Sequence, residues 1–179
     1  MSKNILQIYP WINSREHYYI KKVIESTFVT ENKFTEKFEE KFKKIADSKY
    51  AIAVNNWTLG IFACLKSLEI GPGDEVIVPD TTFIASSNAV LLAGAKVVLC
   101  DIDPKTLCID VDKIESLINS RTKAVMPVPL YGNSCDLDKI KKLRKKKFFH
   151  IIEDAAQAVG VRYKNKHVGA IGDVGGFSF

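Results

Sequence analysis

Polar side chains follow several apolar segments of this chain, where they could bind a charged ligand. In the segment FFHIIEDAAQAVG, Glu153 and Asp154 come directly after an apolar run, and Gln157 follows three residues later. An apolar run of this kind predicts a buried strand that delivers a carboxylate to the rim of a sheet. The role of that carboxylate depends on the groups that the rest of the chain places beside it.

A second polar group follows the apolar residues 51–54, where the chain reads Asn55, Asn56, Trp57 and Thr58 before a predicted helix. Backbone N–H groups and a hydroxyl at a helix N-terminus form a natural seat for a phosphate. The alternative is that one of these polar side chains only caps the helix, and this segment by itself favours the cap.

Two more segments place candidate groups at predicted strand ends. DTTFIASS contains Phe83 among small and hydroxyl residues, and the chain ends in GDVGGFSF, with Ser178 between two phenylalanines. By itself, Phe83 is more often a core residue than a platform for a ligand.

The elements that position these groups alternate between short apolar strands and amphipathic helices. The pattern predicts strands at 51–54, 76–79, 97–102, 124–127 and 148–152. It predicts helices at 58–68, 84–93, 111–118 and 137–146, preceded by two helices within 15–47. Such alternation predicts an α/β domain with a mostly parallel sheet, in which ligands gather at the carboxyl ends of the strands.

Composition narrows the class of protein. With 179 residues, 46% hydrophobic and 26% charged, the chain suits one soluble globular domain. The net charge of +5 is too mild to indicate nucleic acid or an anionic membrane as a partner. No apolar run approaches the roughly 20 residues that cross a bilayer. The first residues lack the layout of a secretory signal, so we expect a cytoplasmic protein.

The cysteines and histidines do not indicate a metal site or disulfides. The four cysteines are scattered without a C-x-x-C pair, and we expect buried or half-buried free thiols at Cys64, Cys100, Cys108 and Cys135. The three histidines have no metal-ligand spacing, so we expect no metal at His17, His150 or His167.

A basic segment, DLDKIKKLRKKKFF, holds seven basic residues between Lys139 and Lys147. Leu137, Ile140 and Leu143 recur every three residues and predict an inward stripe on a helix. No aromatic residues alternate with the charges to stack on bases. The pattern favours a solvated helix face over a nucleic-acid surface.

Taken together, these segments resemble one family. The stretch VNNWTLGIFACLKSLEIGPGDEVIVPDTTFIASSNAVLLAGAKVVLCDIDPKTLCID is similar to the pyridoxal-phosphate-dependent nucleotide-sugar aminotransferases of the DegT family. RTKAVMPVPLYG, IIEDAAQAVG and VGAIGDVGGFSF continue the resemblance in the same order and spacing. IASSNAV and LCIDVDKIE most resemble the perosamine and viosamine synthases, which aminate C4 of a 4-keto-6-deoxy sugar for polysaccharide or glycan biosynthesis.

The resemblance implies a fold and an assembly. It implies the large domain of the aspartate-aminotransferase-like (fold type I) enzymes, with a mostly parallel sheet flanked by helices and its C-terminal part missing. Residues 1–46 would be an N-terminal helical segment packing on that domain, and residues 47–179 an incomplete cofactor-binding domain. The intact protein would be a homodimer that takes a nucleotide sugar and an amino-acid donor, with glutamate expected.

The resemblance also implies roles for the candidate residues. Asp154 matches the aspartate that bonds the pyridine nitrogen of the cofactor, and its charge would keep that nitrogen protonated. Gln157 matches a residue near the phenolic oxygen and Phe83 the aromatic that stacks on the ring. Thr58 and Ser178 match the phosphate-binding hydroxyls. Trp57 stands where most members have glycine, so an indole adds bulk beside the phosphate seat.

The chain itself contains no match to the lysine that forms the Schiff base, which we expect beyond Phe179. The chain as given is therefore expected to be the N-terminal part of an enzyme and inactive alone. Two alternatives stay open: a sugar 3-dehydratase of the same family, with histidine replacing that lysine, and a non-catalytic remnant or partner-completed subunit. A nicotinamide-dependent enzyme is disfavoured, because GAIGDVGG has the wrong glycine spacing and lies at the far end of the chain.

Overall fold

A five-stranded parallel sheet forms the centre of the computed structural model, which describes residues 9–179. The strands are β1 (Glu75–Pro79), β2 (Lys96–Cys100), β3 (Thr122–Val125), β4 (His150–Asp154), β5 (Arg162–Tyr163), β6 (Lys166–His167) and β7 (Val174–Gly176). In the five-stranded sheet they stand in the order β2–β1–β3–β4–β7. A two-stranded antiparallel hairpin of β5 and β6 precedes β7.

Helices connect and flank these strands. Asn13 and Asn32 start the first two helices with capping boxes, in which the cap side chain and the third helical residue exchange hydrogen bonds. The helices are α1 (Ser14–Glu25), α2 (Lys33–Ala46), α3 (Trp57–Ser67), α4 (Ala85–Leu92), α5 (Val111–Leu117) and α6 (Leu137–Lys146), with a short 3-10 helix at Leu130–Gly132. None of the helices within residues 9–179 is long and apolar enough to span a membrane.

The two faces of the sheet carry separate halves of the core, because successive strand residues point to opposite sides. Ile77, Val125 and Ile151 pack on one side with residues of α5 and α6. Ile152 and its neighbours on the other strands pack on the opposite side with residues of α3 and α4. Neighbouring residues of β4 therefore meet different helices: Ile151 packs with α5 and α6, and Ile152 packs with α3 and α4.

The predicted α/β architecture is confirmed, but the strand predicted at 51–54 is wrong. That segment forms no strand and pairs with no strand among residues 9–179. Its apolar side chains Ile52 and Val54 are 81% and 48% exposed, and the Ala53 N–H donates to the Glu39 carboxylate of α2 at 2.8 Å. The side of β4 that faces away from β3 pairs with β7, a short glycine-rich strand that the apolar pattern missed.

The basic helix and the cysteines match their predictions. In α6, Leu137, Ile140 and Leu143 are buried while most of the basic side chains are exposed. Cys64 is half-buried, the other three cysteines are buried, and all four are free thiols. Within residues 9–179, no three potential metal ligands lie close enough together to hold an ion.

The two N-terminal helices differ in how they pack. Helix α1 buries none of its residues. Helix α2 buries Phe42, whose ring lies 4.7 Å from that of Phe177, measured between centroids. Residues 1–8 of the predicted N-terminal segment lie outside the described residues.

Candidate functional site

The carboxylate of Asp154 lies at the carboxyl end of β4 and is 4% exposed. It shares the face of Ile152, which is the side covered by α3 and α4. Its Oδ1 accepts the indole N–H of Trp57 at 2.7 Å, and its Oδ2 accepts the Ser86 hydroxyl at 2.6 Å. The Ala156 N–H lies 3.4 Å from Oδ1. Both carboxylate oxygens are therefore engaged by groups of the chain itself.

The indole of Trp57 is held by the start of α3. Asn56 caps this helix by accepting the Leu59 N–H at 2.9 Å, and Trp57 is the first helical residue. The six-membered ring of the half-buried indole lies against Gly60, in the same helix, and Gly176, at the end of β7; a Cβ on either glycine would overlap it. Two glycines from different elements thus make the space for this side chain.

Ser86 supplies the second hydrogen bond to the carboxylate. It lies in the first turn of α4 and is fully buried. Its hydroxyl is also 2.9 Å from the Thr82 hydroxyl and 3.3 Å from the Phe83 carbonyl oxygen. Sequence reasoning missed Ser86, although the run of hydroxyl residues in DTTFIASS was the signal that could have found it.

Glu153 points away from this site, because neighbouring strand residues face opposite sides. It is 1% exposed and accepts the backbone N–H groups of Gly169, Ile171 and Gly172 at 2.8, 2.6 and 2.5 Å. Burial raises the pKa of Glu153 above its usual value, while the three N–H donors lower it. Of the two acids at the end of β4, Glu153 anchors the 169–172 loop and Asp154 faces the candidate site.

The remaining predicted residues lie around the carboxyl ends of the strands. Thr58 adjoins Trp57 and is half-buried. Ser178 is exposed and follows β7, whose Gly176 pairs with Asp154. Thr58 therefore adjoins a residue that contacts Asp154, and Ser178 follows the strand that pairs with the end of β4; their roles toward a phosphate stay predictions.

Two other candidates lie in loops at the same edge. Gln157 follows β4, is exposed and accepts the Tyr131 N–H at 3.2 Å. Tyr131 itself has a left-handed backbone, with φ of 52°, and is 65% exposed. Phe83, in the loop between β1 and α4, is 69% exposed, so the interpretation as a core residue is wrong.

A helix cap and a phosphate seat are the two alternatives for the polar residues 55–58. The cap interpretation is confirmed for Asn56, whose side chain accepts an N–H of α3. Thr58 is not the capping residue, and its role toward a phosphate stays a prediction.

The sequence profile of the DegT/DnrJ/EryC1/StrS aminotransferase family matches residues 10–179. The chain belongs to this family. GDP-perosamine synthase of Caulobacter vibrioides is 44% identical over 171 residues, which are 95% of this chain and 46% of that protein. The chain thus spans a little under half the length of this curated relative.

Solved structures of DegT-family relatives share the fold. A Streptococcus pneumoniae structure named as a sugar aminotransferase, in its pyridoxal phosphate form, has a TM-score of 0.93 and 32% identity. It is matched by 99% of this chain over 49% of its own length. A GDP-4-keto-6-deoxymannose-3-dehydratase variant with bound GDP-perosamine has a TM-score of 0.86 and 28% identity, with 93% and 45% covered. The domain is therefore the N-terminal part of the fold type I large domain.

The family implies pyridoxal phosphate as cofactor, and the residues around Asp154 can be compared with it. A buried carboxylate at the carboxyl end of a central strand is of the right type to hold a protonated ring nitrogen. The indole of Trp57 does not fit, because its ring nitrogen lies 2.7 Å from Oδ1 and the ring fills the side of that oxygen from which it donates, where a second aromatic ring would otherwise approach. With the side chains as they lie in this structure, the cofactor does not fit beside Asp154.

Proposed function

We propose that the complete protein is a pyridoxal-phosphate-dependent aminotransferase that converts a nucleotide-linked 4-keto-6-deoxy sugar to its 4-amino sugar. Glutamate is the proposed amino donor, and the product serves polysaccharide or glycan biosynthesis. The observation that carries the proposal is the buried Asp154 carboxylate at the carboxyl end of β4 in a chain of this family. The similarity to GDP-perosamine synthase supports the choice of sugar.

The proposed roles of the site residues follow from charge and position. Once the Trp57 indole has left Oδ1, Asp154 would hold a protonated ring nitrogen, since a carboxylate bonds a cationic donor more strongly than a neutral amide does. The hydroxyls of Thr58 and Ser178 would bind the phosphate, Phe83 would stack on the ring and Gln157 would lie near the phenolic oxygen. The lysine of the Schiff base and the second subunit of a homodimer belong to the proposed complete protein.

The test uses the complete protein with GDP- and dTDP-linked 4-keto-6-deoxy sugars and ¹⁵N-labelled glutamate. We expect an amino sugar that carries the label, identified by mass spectrometry. Asp154→Asn should lower the rate by about 100-fold or more, in the range of an essential electrostatic contact. Asp112→Asn, an exposed change on α5, is the matched control and should leave the rate unchanged. Absence of labelled amino sugar with every substrate would contradict the proposal.

The 3-dehydratase is a second candidate, favoured by the structural similarity to GDP-4-keto-6-deoxymannose-3-dehydratase. The same assay separates the two reactions by the mass of the product. An aminotransferase places the nitrogen of glutamate on the sugar, whereas a dehydratase yields a sugar that has lost the 3-hydroxyl and carries no label.

A further inference from the structure

The geometry points to Trp57 as a blocking side chain of the cofactor site: its indole must leave Asp154 before a pyridine ring can bind there. This inference rests on the proposed function, since it concerns the uptake of pyridoxal phosphate. It assigns to Trp57 control over cofactor affinity, in place of a direct role in holding the phosphate.

The indole N–H is a donor of the same kind as the N–H of a protonated pyridine. Each is a planar aromatic donor with no acceptor capacity. The indole N–H lies 2.7 Å from Oδ1 of Asp154, while the buried Ser86 hydroxyl takes Oδ2 at 2.6 Å. The indole ring therefore fills the side of Oδ1 from which it donates, and a second ring cannot approach from that side until the indole moves away.

The indole fits closely against its surroundings. Gly60 and Gly176 both lack a side chain at the points where the indole ring lies, and a Cβ at either would overlap it. The contact thus depends on α3 and β7 together, which makes this position of the indole a defined one. The indole ring, bonded to a buried carboxylate and packed on two glycines, thus occupies the place that this inference assigns to the cofactor ring.

Release of the indole requires its rotation away from the carboxylate. Trp57 is the first residue of α3 and is only half-buried, so part of its side chain already faces solvent. Rotation would free Oδ1 and uncover Gly176 together. A hydrogen bond to a charged acceptor corresponds to a roughly 10- to 100-fold effect on an equilibrium, which is the expected loss of cofactor affinity.

The hydrogen bond itself can be tested without cofactor. The chain has two tryptophans, and Trp11 is 84% exposed, so a ¹H–¹⁵N spectrum should show one indole N–H in fast exchange with solvent and one protected. The protected signal should vanish in Trp57→Phe and lose its protection in Asp154→Ala. A Trp57 signal with the same shift and exchange rate in Asp154→Ala would overturn the inference, whatever the cofactor.

The blocking role is tested by titration with pyridoxamine 5′-phosphate. This probe carries the ring and phosphate of the cofactor but has no aldehyde to react with surface lysines. We expect Trp57→Gly to bind it about 10- to 100-fold more tightly than the unchanged chain. Trp57→Phe, which keeps a ring but removes the N–H, should lie between them and provides a second test if the glycine variant folds poorly. Binding is followed through the backbone amide signals of Ala155 and Ala156.

The outcomes separate this inference from the proposed function. Equal affinity of the unchanged chain and both Trp57 variants, with binding lost in Asp154→Ala, would overturn the blocking role and support the cofactor. No binding by any variant, with the indole N–H still protected, would overturn the blocking role in this chain, whereas the proposed function falls only if the complete protein forms no labelled amino sugar.

Discussion

The indole N–H of Trp57 donates to the carboxylate of Asp154 across 2.7 Å, joining the first residue of α3 to the last residue of β4. The two residues are 97 positions apart in the chain. Ser86, from a third element, completes the contacts of the carboxylate. This polar junction links both helices on one face of the sheet to the end of a central strand, and its removal has measurable consequences.

Replacing Asp154 should separate the loss of an acceptor from the loss of charge. Asp154→Ala removes the acceptor of the Trp57 N–H and the 2.6 Å acceptor of the Ser86 hydroxyl, and should lower the free energy of unfolding by about 2 kcal/mol. Asp154→Asn keeps an amide oxygen for the indole and should cost less than about 1 kcal/mol. Urea denaturation followed by circular dichroism measures both. Equal losses for the two variants would contradict the hydrogen-bonding role.

Gly176 should be coupled to Trp57. A methyl at Gly176 would overlap the indole, so Gly176→Ala should destabilise the chain by about 1 to 3 kcal/mol. The same change should cost little once Trp57→Gly has removed the ring. A double-mutant cycle should therefore give a coupling energy of about 1 kcal/mol or more. Gly71→Ala is the control, because a Cβ there would meet its nearest atom at an ordinary 3.5 Å; additive effects in the cycle would speak against the contact.

Glu153 should stabilise the loop at 169–172. Glu153→Gln replaces one acceptor oxygen by an N–H donor facing backbone N–H groups, which should cost about 1 to 3 kcal/mol of unfolding free energy. Amide hydrogen exchange should accelerate at Gly169, Ile171 and Gly172, because these groups donate to the carboxylate. Glu115→Gln, on the exposed side of α5, should change neither quantity. Unaltered exchange in the loop of Glu153→Gln would refute this role.

Glu75 should make stability depend on pH in the acid range. The hydrogen bond from Asn119, assisted by those from Arg121 and Lys96, lowers the pKa of Glu75 below its ordinary 4.5. Because the folded pKa is depressed, the stabilisation is present above the unfolded pKa and is lost as the pH falls through the folded value.

Thermal unfolding of Glu75→Gln should therefore show a weaker loss of stability below about pH 4.5 than the unchanged chain. Glu75 lies at the amino end of β1, the opposite edge from Asp154, so the candidate site should stay intact. Parallel pH profiles for the two chains would show that Glu75 contributes no such linkage.

Local periodicity was sufficient to predict most of the fold. The apolar stripe of Leu137, Ile140 and Leu143 predicted α6 with its observed bounds, because burial of one helix face imposes its spacing on the sequence. The same pattern failed at 51–54 and missed β7. Pairing with the side of β4 that faces away from β3 depends on tertiary packing, which brings β7 there and not the residues 51–54.

For the candidate site, the sequence alone predicted that Asp154 would stand at the rim of a parallel sheet, because a short apolar run that ends in acids is typical of a buried strand reaching the sheet edge. It left the direction of the Trp57 indole open and gave no sign of the roles of Gly60, Gly176 and Ser86. Only the tertiary structure decided that the indole turns inward onto Asp154. The reason is that α3, α4 and β7 meet this carboxylate from distant parts of the chain, and contacts between distant residues leave no periodic trace in the sequence.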